Sequence, residues 1–163
     1  KAALALNDFR GTGRRFEARP EAGGVLIVDD YAHHPTEIRA SLAAARERYP
    51  QRRLWALWQP HTFSRSQLLA QEFSASFADA DQVLVTEVYA AREEQPQGFD
   101  ILDLVTSIGS DKARYSGSLA ASQSLLLNEL KPGDLLLVLS AGDAIKLSAA
   151  LHDALVEKES GNA

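Results

Sequence analysis

Cysteine and methionine are both missing from the 163 residues. Without cysteine there is no disulfide and no thiolate metal site, which fits the cytoplasm. The chain opens on Lys1, and KAALALNDF lacks the apolar core and cleavage pattern of a signal peptide, so the expectation is a piece of a longer protein. No apolar run approaches the roughly 20 residues that span a bilayer, so no membrane segment is expected. There is no G-x-x-x-x-G-K-[ST] to cradle a triphosphate, and no G-x-G-x-x-G after an apolar run, which disfavours a self-sufficient dinucleotide-binding domain. Excess positive charge is absent too: the net charge of −5 argues against a general nucleic-acid coat. Arg10, Arg14, Arg15 and Arg19 nevertheless crowd one segment, either as a solvated face or as an anion site.

What is present suits one domain with a proper core, at 45% hydrophobic and 24% charged residues. Runs rich in Val, Leu and Ile at 25–31, 53–59, 82–89 and 134–140 are short and nearly continuous, as strands buried on both faces are. KARYSG at 112–117 reads as a further short strand, and RRFEAR at 14–19 as an outer one before Gly23-Gly24. Helical patterns lie between them. In 35–49 the residues Ile38, Leu42, Ala45 and Tyr49 share a face, with Pro35 suited to the first turn. In 64–80 the face is Leu69, Phe73 and Phe77, with Ser64 as the expected cap. Residues 99–109, 118–130 and 143–158 are weaker helices, and 158–163 reads as a frayed tail. Alternating β and α predicts an α/β fold: a mostly parallel sheet of about six strands with helices on both faces.

Ligands of such sheets bind at the carboxyl ends of the strands. The exits here read VDDYAHHP, WQPHTFSRS, TEVYAAREE and LSAGDA. Asp30 is placed to accept hydrogen bonds from a ribose diol, or merely to cap a turn. His33 and His34 precede a helix, where an imidazole tends to be neutral. His33, His34, His61 and Asp30 are possible metal ligands, but adjacent histidines diverge and no HxxxH or HxH spacing is present, so no metal site is expected. Arg65 offers a planar fork for a carboxylate or phosphate, with His61 beside it. Gly142 permits close backbone approach, and Asp143 reads as a helix cap. Of Glu87 and Tyr89, at least one is expected to be structural.

Taken in order over residues 9–145, GTGRRFE, DDYAHHPTE, QPHTFSR, EVYAARE and SAGD resemble the C-terminal domain of the Mur ligases, specifically their L-alanine-adding branch. The pairing of DDYAHHPTE with QPHTFSR carries most of that specificity. The resemblance implies a Rossmann-like domain at 1–163, with 1–12 leading from a central P-loop domain that holds ATP and the Mg2+ ligands, and an N-terminal domain that binds UDP-N-acetylmuramate. It implies ATP-dependent joining of L-alanine to UDP-N-acetylmuramate through an acyl phosphate, in the bacterial cytoplasm, as a step of peptidoglycan precursor synthesis; the domain alone is expected to be inactive. By position, Arg15 and Asp30 match nucleotide-binding residues, Tyr31 and His33 lie beside the amino-acid pocket, and Arg65 matches the clamp of the alanine carboxylate, with His61 near. Thr62 stands where some members carry a second arginine. No role follows for His34 or for the Ser140–Asp143 loop. No residue of this chain is expected to be a nucleophile or general base. The related murein tripeptide ligase is the nearest alternative; a phospho-acceptor receiver module and a free-standing nucleotide-binding protein are the others.

Overall fold

A computed structural model describes residues 15–109 and 111–161. The four apolar runs become strands β2 (Leu26–Asp30), β3 (Arg53–Trp58), β4 (Gln82–Thr86) and β6 (Asp134–Leu139). β5 (Ala113–Gly117) and β1 (Glu17–Ala18) complete a six-stranded sheet in the order β1-β2-β6-β3-β4-β5. Only β1 is antiparallel, pairing Glu17 with Asp29 and Ala18 with Val28. It is shorter than the expected outer strand because Phe16, at φ 49°, breaks the extended backbone. β4 ends earlier than expected: its register with β5 shifts between Val85 and Thr86, and the chain then turns so that Tyr89 N–H donates to Pro60 O, 2.8 Å.

Alternation along each strand divides the interior in two. Val28, Leu54, Ala56, Trp58, Val83, Val85, Leu137 and Leu139 face one layer, and Ile27, Trp55, Leu57, Leu84, Leu136 and Val138 face the other. Against the first layer pack α1 (Pro35–Arg48), the short α2 (Phe63–Leu68) and α3 (Ala70–Ser74), and α4 (Ile101–Ile108). Against the second pack α5 (Leu119–Glu129) and α6 (Ala144–Gly161). This division follows from the handedness of parallel crossovers. The chain steps in one direction from β2 through β5, which keeps α1 to α4 on one face. It then reverses to insert β6 between β2 and β3, and the reversal puts α5 on the other face.

The helix expected at 64–80 is instead two short ones broken at Leu69 (φ −110°, ψ 23°). The break lets both Phe73 and Phe77 reach the Trp58 ring, at 4.6 and 5.3 Å between centroids. The residue before α2 is Thr62, not Ser64, so the expected cap is displaced by two positions. α6 runs to Gly161, so residues 158–161 of the expected tail are helical; the last two residues lie outside those described, as do the proposed 1–12 linker, Arg10 and Arg14. Among the described residues no helix is long and apolar enough to cross a membrane.

Trp58 is fully buried, and its Nε1–H finds no acceptor among the described residues. Trp58→Ala is therefore expected to cost about 3–5 kcal/mol through the cavity it leaves. Trp58→Phe should cost much less, since it also removes an unpaired buried donor. Urea unfolding with an unchanged m-value would check both; equal losses would contradict the assignment.

Candidate functional site at the carboxyl ends of the strands

Gln59 leaves β3 pointing into the turn between β6 and α6. Its Oε1 accepts from Ser140 Oγ at 2.7 Å, Asp143 N–H at 3.1 Å and Ala144 N–H at 3.2 Å, while Nε2 donates to Asp143 Oδ1 at 2.8 Å. Gln59 is 2% exposed, so this network is internal. An amide oxygen thus occupies the start of α6, where free backbone donors would otherwise favour an anion. Asp143, expected as a cap, spends its carboxylate on Gln59. Gly142 has to be glycine for reasons of space: a Cβ there would lie 2.5 Å from Gln59 Oε1 and 2.7 Å from the Tyr89 ring.

Because β6 separates β2 from β3, their exits are not neighbours, contrary to the arrangement that would most simply join them. They meet all the same, over the small residues Ser140, Ala141 and Gly142. The His33 and His61 rings are 6.0 Å apart, with Tyr31 edge-on to His33 at 5.4 Å and Tyr89 stacked on His61 at 5.4 Å and 10°.

Of the two adjacent acids, Asp29 points to the α6 face and pairs with Arg19 at 2.7 Å. Its burial pushes the carboxyl above the ordinary range, against the pull of Ser148 and Arg19. Asp30 faces the other way. Oδ1 accepts from Ala32 N–H (2.8 Å), and Oδ2 accepts from Phe16 N–H (3.1 Å) and Ser41 Oγ (3.1 Å). Arg15, Asp30, Tyr31, Ala32, Glu37 and Ser41 surround a cleft of about 260 Å³. The left-handed Phe16, packed on the core and tied to Asp30, fixes the backbone from which Arg15 enters that cleft.

His34 caps α1: its Nδ1 accepts from Thr36 N–H at 3.3 Å. Glu37 answers by accepting the His33 and His34 N–H groups at 3.0 and 3.1 Å, a reciprocal capping box. Burial acts to raise the Glu37 pKa, but these two N–H bonds outweigh it and hold it below the ordinary value. His33 Nδ1 lies 3.0 Å from Tyr31 O, which only accepts, so in the neutral ring Nδ1 carries the proton and Nε2 the lone pair.

Arg65 Nη1 lies 3.4 Å from His61 Nδ1 and donates to His61 O at 2.7 Å. Arginine has only donors, so toward Arg65 the Nδ1 of His61 can only accept, while the ring's own backbone carbonyl pulls the other way. Burial first, then the Arg65 charge, holds this imidazole below the usual histidine range. Among the described residues no carboxylate pairs with Arg65, whose hydrogen bonds to His61 use Nη1 alone. Glu93, from the segment after β4, reaches Thr62 Oγ1, Ser64 Oγ (2.6 Å) and Ser64 N–H (2.9 Å).

Arg15, Asp30, Tyr31, His33, His61 and Arg65 therefore lie in one continuous row. Gln59, Ser41 and Glu93 were missed; Gln59 ends its apolar run, which is a weak signal, while Glu93 has none in spacing. Among the described residues no group of three His, Cys, Asp or Glu could hold a metal ion.

An open, mostly parallel sheet with helices on both faces defines an α/β domain, and residues 14–142 match the family model described as Mur ligase, glutamate ligase domain. The chain belongs to the Mur ligase family. It is 47% identical to a UDP-N-acetylmuramate–L-alanine ligase of Desulfitobacterium hafniense over 93% of this chain and 34% of that protein. With the same-named enzyme of a Roseiflexus species it shares 44% over 94% of this chain and 33% of that one. Among solved structures it resembles a UDP-N-acetylmuramate–alanine ligase from Thermotoga maritima (TM-score 0.73, 29% identity, 98% of this chain and 33% of that one). It also resembles a murein peptide ligase from Psychrobacter arcticus (TM-score 0.74, 26% identity, 95% and 32%). The chain spans about a third of the length of these relatives.

In an NMR titration the His61 ring should change protonation below its ordinary 6.5, and Arg65→Ala should move that midpoint upward. The depressed value means that the stability tied to neutral His61 is present above 6.5 and lost as pH falls through the folded midpoint. A midpoint at or above 6.5 in the unmodified protein would contradict this environment.

Proposed function

We propose that this chain is the C-terminal domain of an ATP-dependent ligase that joins L-alanine to UDP-N-acetylmuramate in peptidoglycan precursor synthesis in the bacterial cytoplasm. The observation that carries the reading is an Arg65 guanidinium with no carboxylate partner among the described residues, held through Nη1 beside the His61 ring. Together they suit the carboxylate of a small amino acid. The 47% identity to an L-alanine ligase supports the choice of substrate.

In this reading Tyr31 and His33 form the neighbouring wall of the amino-acid pocket, and Arg15 and Asp30 contact the nucleotide. The residues fit that role in part. A carboxylate offers about four acceptor positions, and three on Asp30 are filled by Phe16, Ala32 and Ser41. One ribose hydroxyl can bind directly; a second would have to displace the Ser41 hydroxyl. ATP phosphates would meet Arg15 from across the cleft. The Mg2+ ligands, the P-loop and the UDP-N-acetylmuramate site belong to the central and N-terminal domains of the longer protein, joined through residues 1–12. ATP converts the sugar-linked carboxylate to an acyl phosphate, and the L-alanine amine displaces phosphate to form the amide. This chain's part is to orient the amino acid and the nucleotide.

In the full-length protein, Arg65→Ala should raise the KM for L-alanine by about 30- to 150-fold, the equivalent of losing a charged bidentate contact of roughly 2–3 kcal/mol. Residues 1–163 alone should form no amide. A normal KM for L-alanine would remove Arg65 from the site, and faster ligation of the murein tripeptide than of L-alanine would favour the recycling ligase.

A further inference from the structure

The clamp residues His61 and Arg65 lie on either side of three residues, and the structure shows what holds those three in place. Glu93 comes from a different strand exit, beyond β4, and its carboxylate takes the Thr62 hydroxyl, the Ser64 hydroxyl at 2.6 Å and the Ser64 N–H at 2.9 Å. Neither Thr62 nor Ser64 lies more than two residues from a clamp residue. Phe63 packs edge-on against Phe99 at 5.2 Å, but Thr62 makes no side-chain cap bond of its own, so Glu93 supplies the acceptor for the Ser64 N–H at the start of α2. Arg65 in turn donates to His61 O at 2.7 Å, so the orientation of its guanidinium depends on the same turn.

The backbone that delivers Glu93 is strained. Ala91 (φ 47°) and Arg92 (φ 83°) are consecutive left-handed residues, and neither is glycine. Such residues persist only where the surroundings hold them, and they gather at functional sites. Glu93 N–H closes the turn by donating to Ala90 O at 2.9 Å. The hydroxyl of Ser64, then that of Thr62, then the Ser64 N–H pull the Glu93 carboxyl down to about 2.

We propose that Glu93 is a positioning residue for the amino-acid carboxylate: it latches the Thr62–Ser64 turn and thereby sets the geometry of His61 and Arg65. The proposal rests on the reading of those two residues as the amino-acid clamp. Glu93 touches neither amino acid nor nucleotide; it acts through the turn. Its loss should therefore appear in the binding of one substrate and not in the others.

The test is steady-state kinetics of the full-length ligase, varying L-alanine and then ATP with the other substrates saturating. Glu93→Gln keeps the shape but removes the charge, and its one oxygen cannot accept both from the Ser64 N–H and from the two hydroxyls. It should raise the KM for L-alanine about tenfold, the equivalent of one lost charged hydrogen bond, and leave kcat and the KM for ATP within about twofold. Ser64→Ala should reproduce a smaller part of the rise. The double variant should be no worse than Glu93→Gln alone, because both remove one interaction. A fall in kcat with an unchanged KM for L-alanine, or an equal rise in both KM values, would overturn the latch. So would additive effects in the double variant, or a Glu93→Gln protein that fails to fold, since either makes the role global. Arg65→Ala separates the two levels. If it leaves the KM for L-alanine normal, the clamp reading itself fails; if it raises that KM while Glu93→Gln does not, only the latch fails.

Discussion

Everything at the carboxyl edge of the sheet is built around the Gln59 amide. Its one oxygen gathers a hydroxyl and two backbone N–H groups from the β6–α6 turn, and its nitrogen ties down Asp143. Buried polar groups are costly unless every one is satisfied, and here the satisfaction is mutual between β3 and the strand beside it. The interaction does two things at once. It fills the one helix start that could have taken an anion at the middle of the sheet. It also draws the β6–α6 turn low, so that loops from the strands on either side can close over it.

The consequence is a site that runs across the sheet and not into it. Asp30 and Arg15 sit at one end, over β2; His61 and Arg65 sit at the other, over β3, with the rings of Tyr31 and His33 between them. The two imidazoles meet different partners at Nδ1, His33 a carbonyl and His61 a guanidinium. Adjacent groups of one residue type are thereby given different chemistry by their partners alone.

Much of this was legible in the chain. Continuous apolar runs mark strands buried on both sides, so the strand exits, and with them Asp30, His33, His61 and Arg65, could be found before the fold was known. His34 was rightly left to helix-start structure, since a histidine before Pro35 has a cap to fill. The order of strands was not legible. Nothing local in DLLLVL says that it inserts between β2 and β3, because insertion is decided by crossover handedness and by how the helices divide between faces. Helix breaks were missed for a similar reason: Leu69 interrupts a good periodic pattern only because two phenylalanines must reach one tryptophan. Glu93 and Gln59 were missed because their partners lie far along the chain, at separations that no spacing rule samples.

Gly142 carries a further implication. Tyr89 rests on the space that a side chain at 142 would need, and Tyr89 in turn backs His61. These two positions, fifty-odd residues apart, cannot drift independently. Any residue larger than glycine at 142 would press on both the Gln59 amide and the Tyr89 ring, so yielding at 89 alone would withdraw the support beneath one imidazole and still leave the clash with Gln59. Position 142 is therefore held at glycine by two neighbours at once, one from the end of β3 and one from beyond β4.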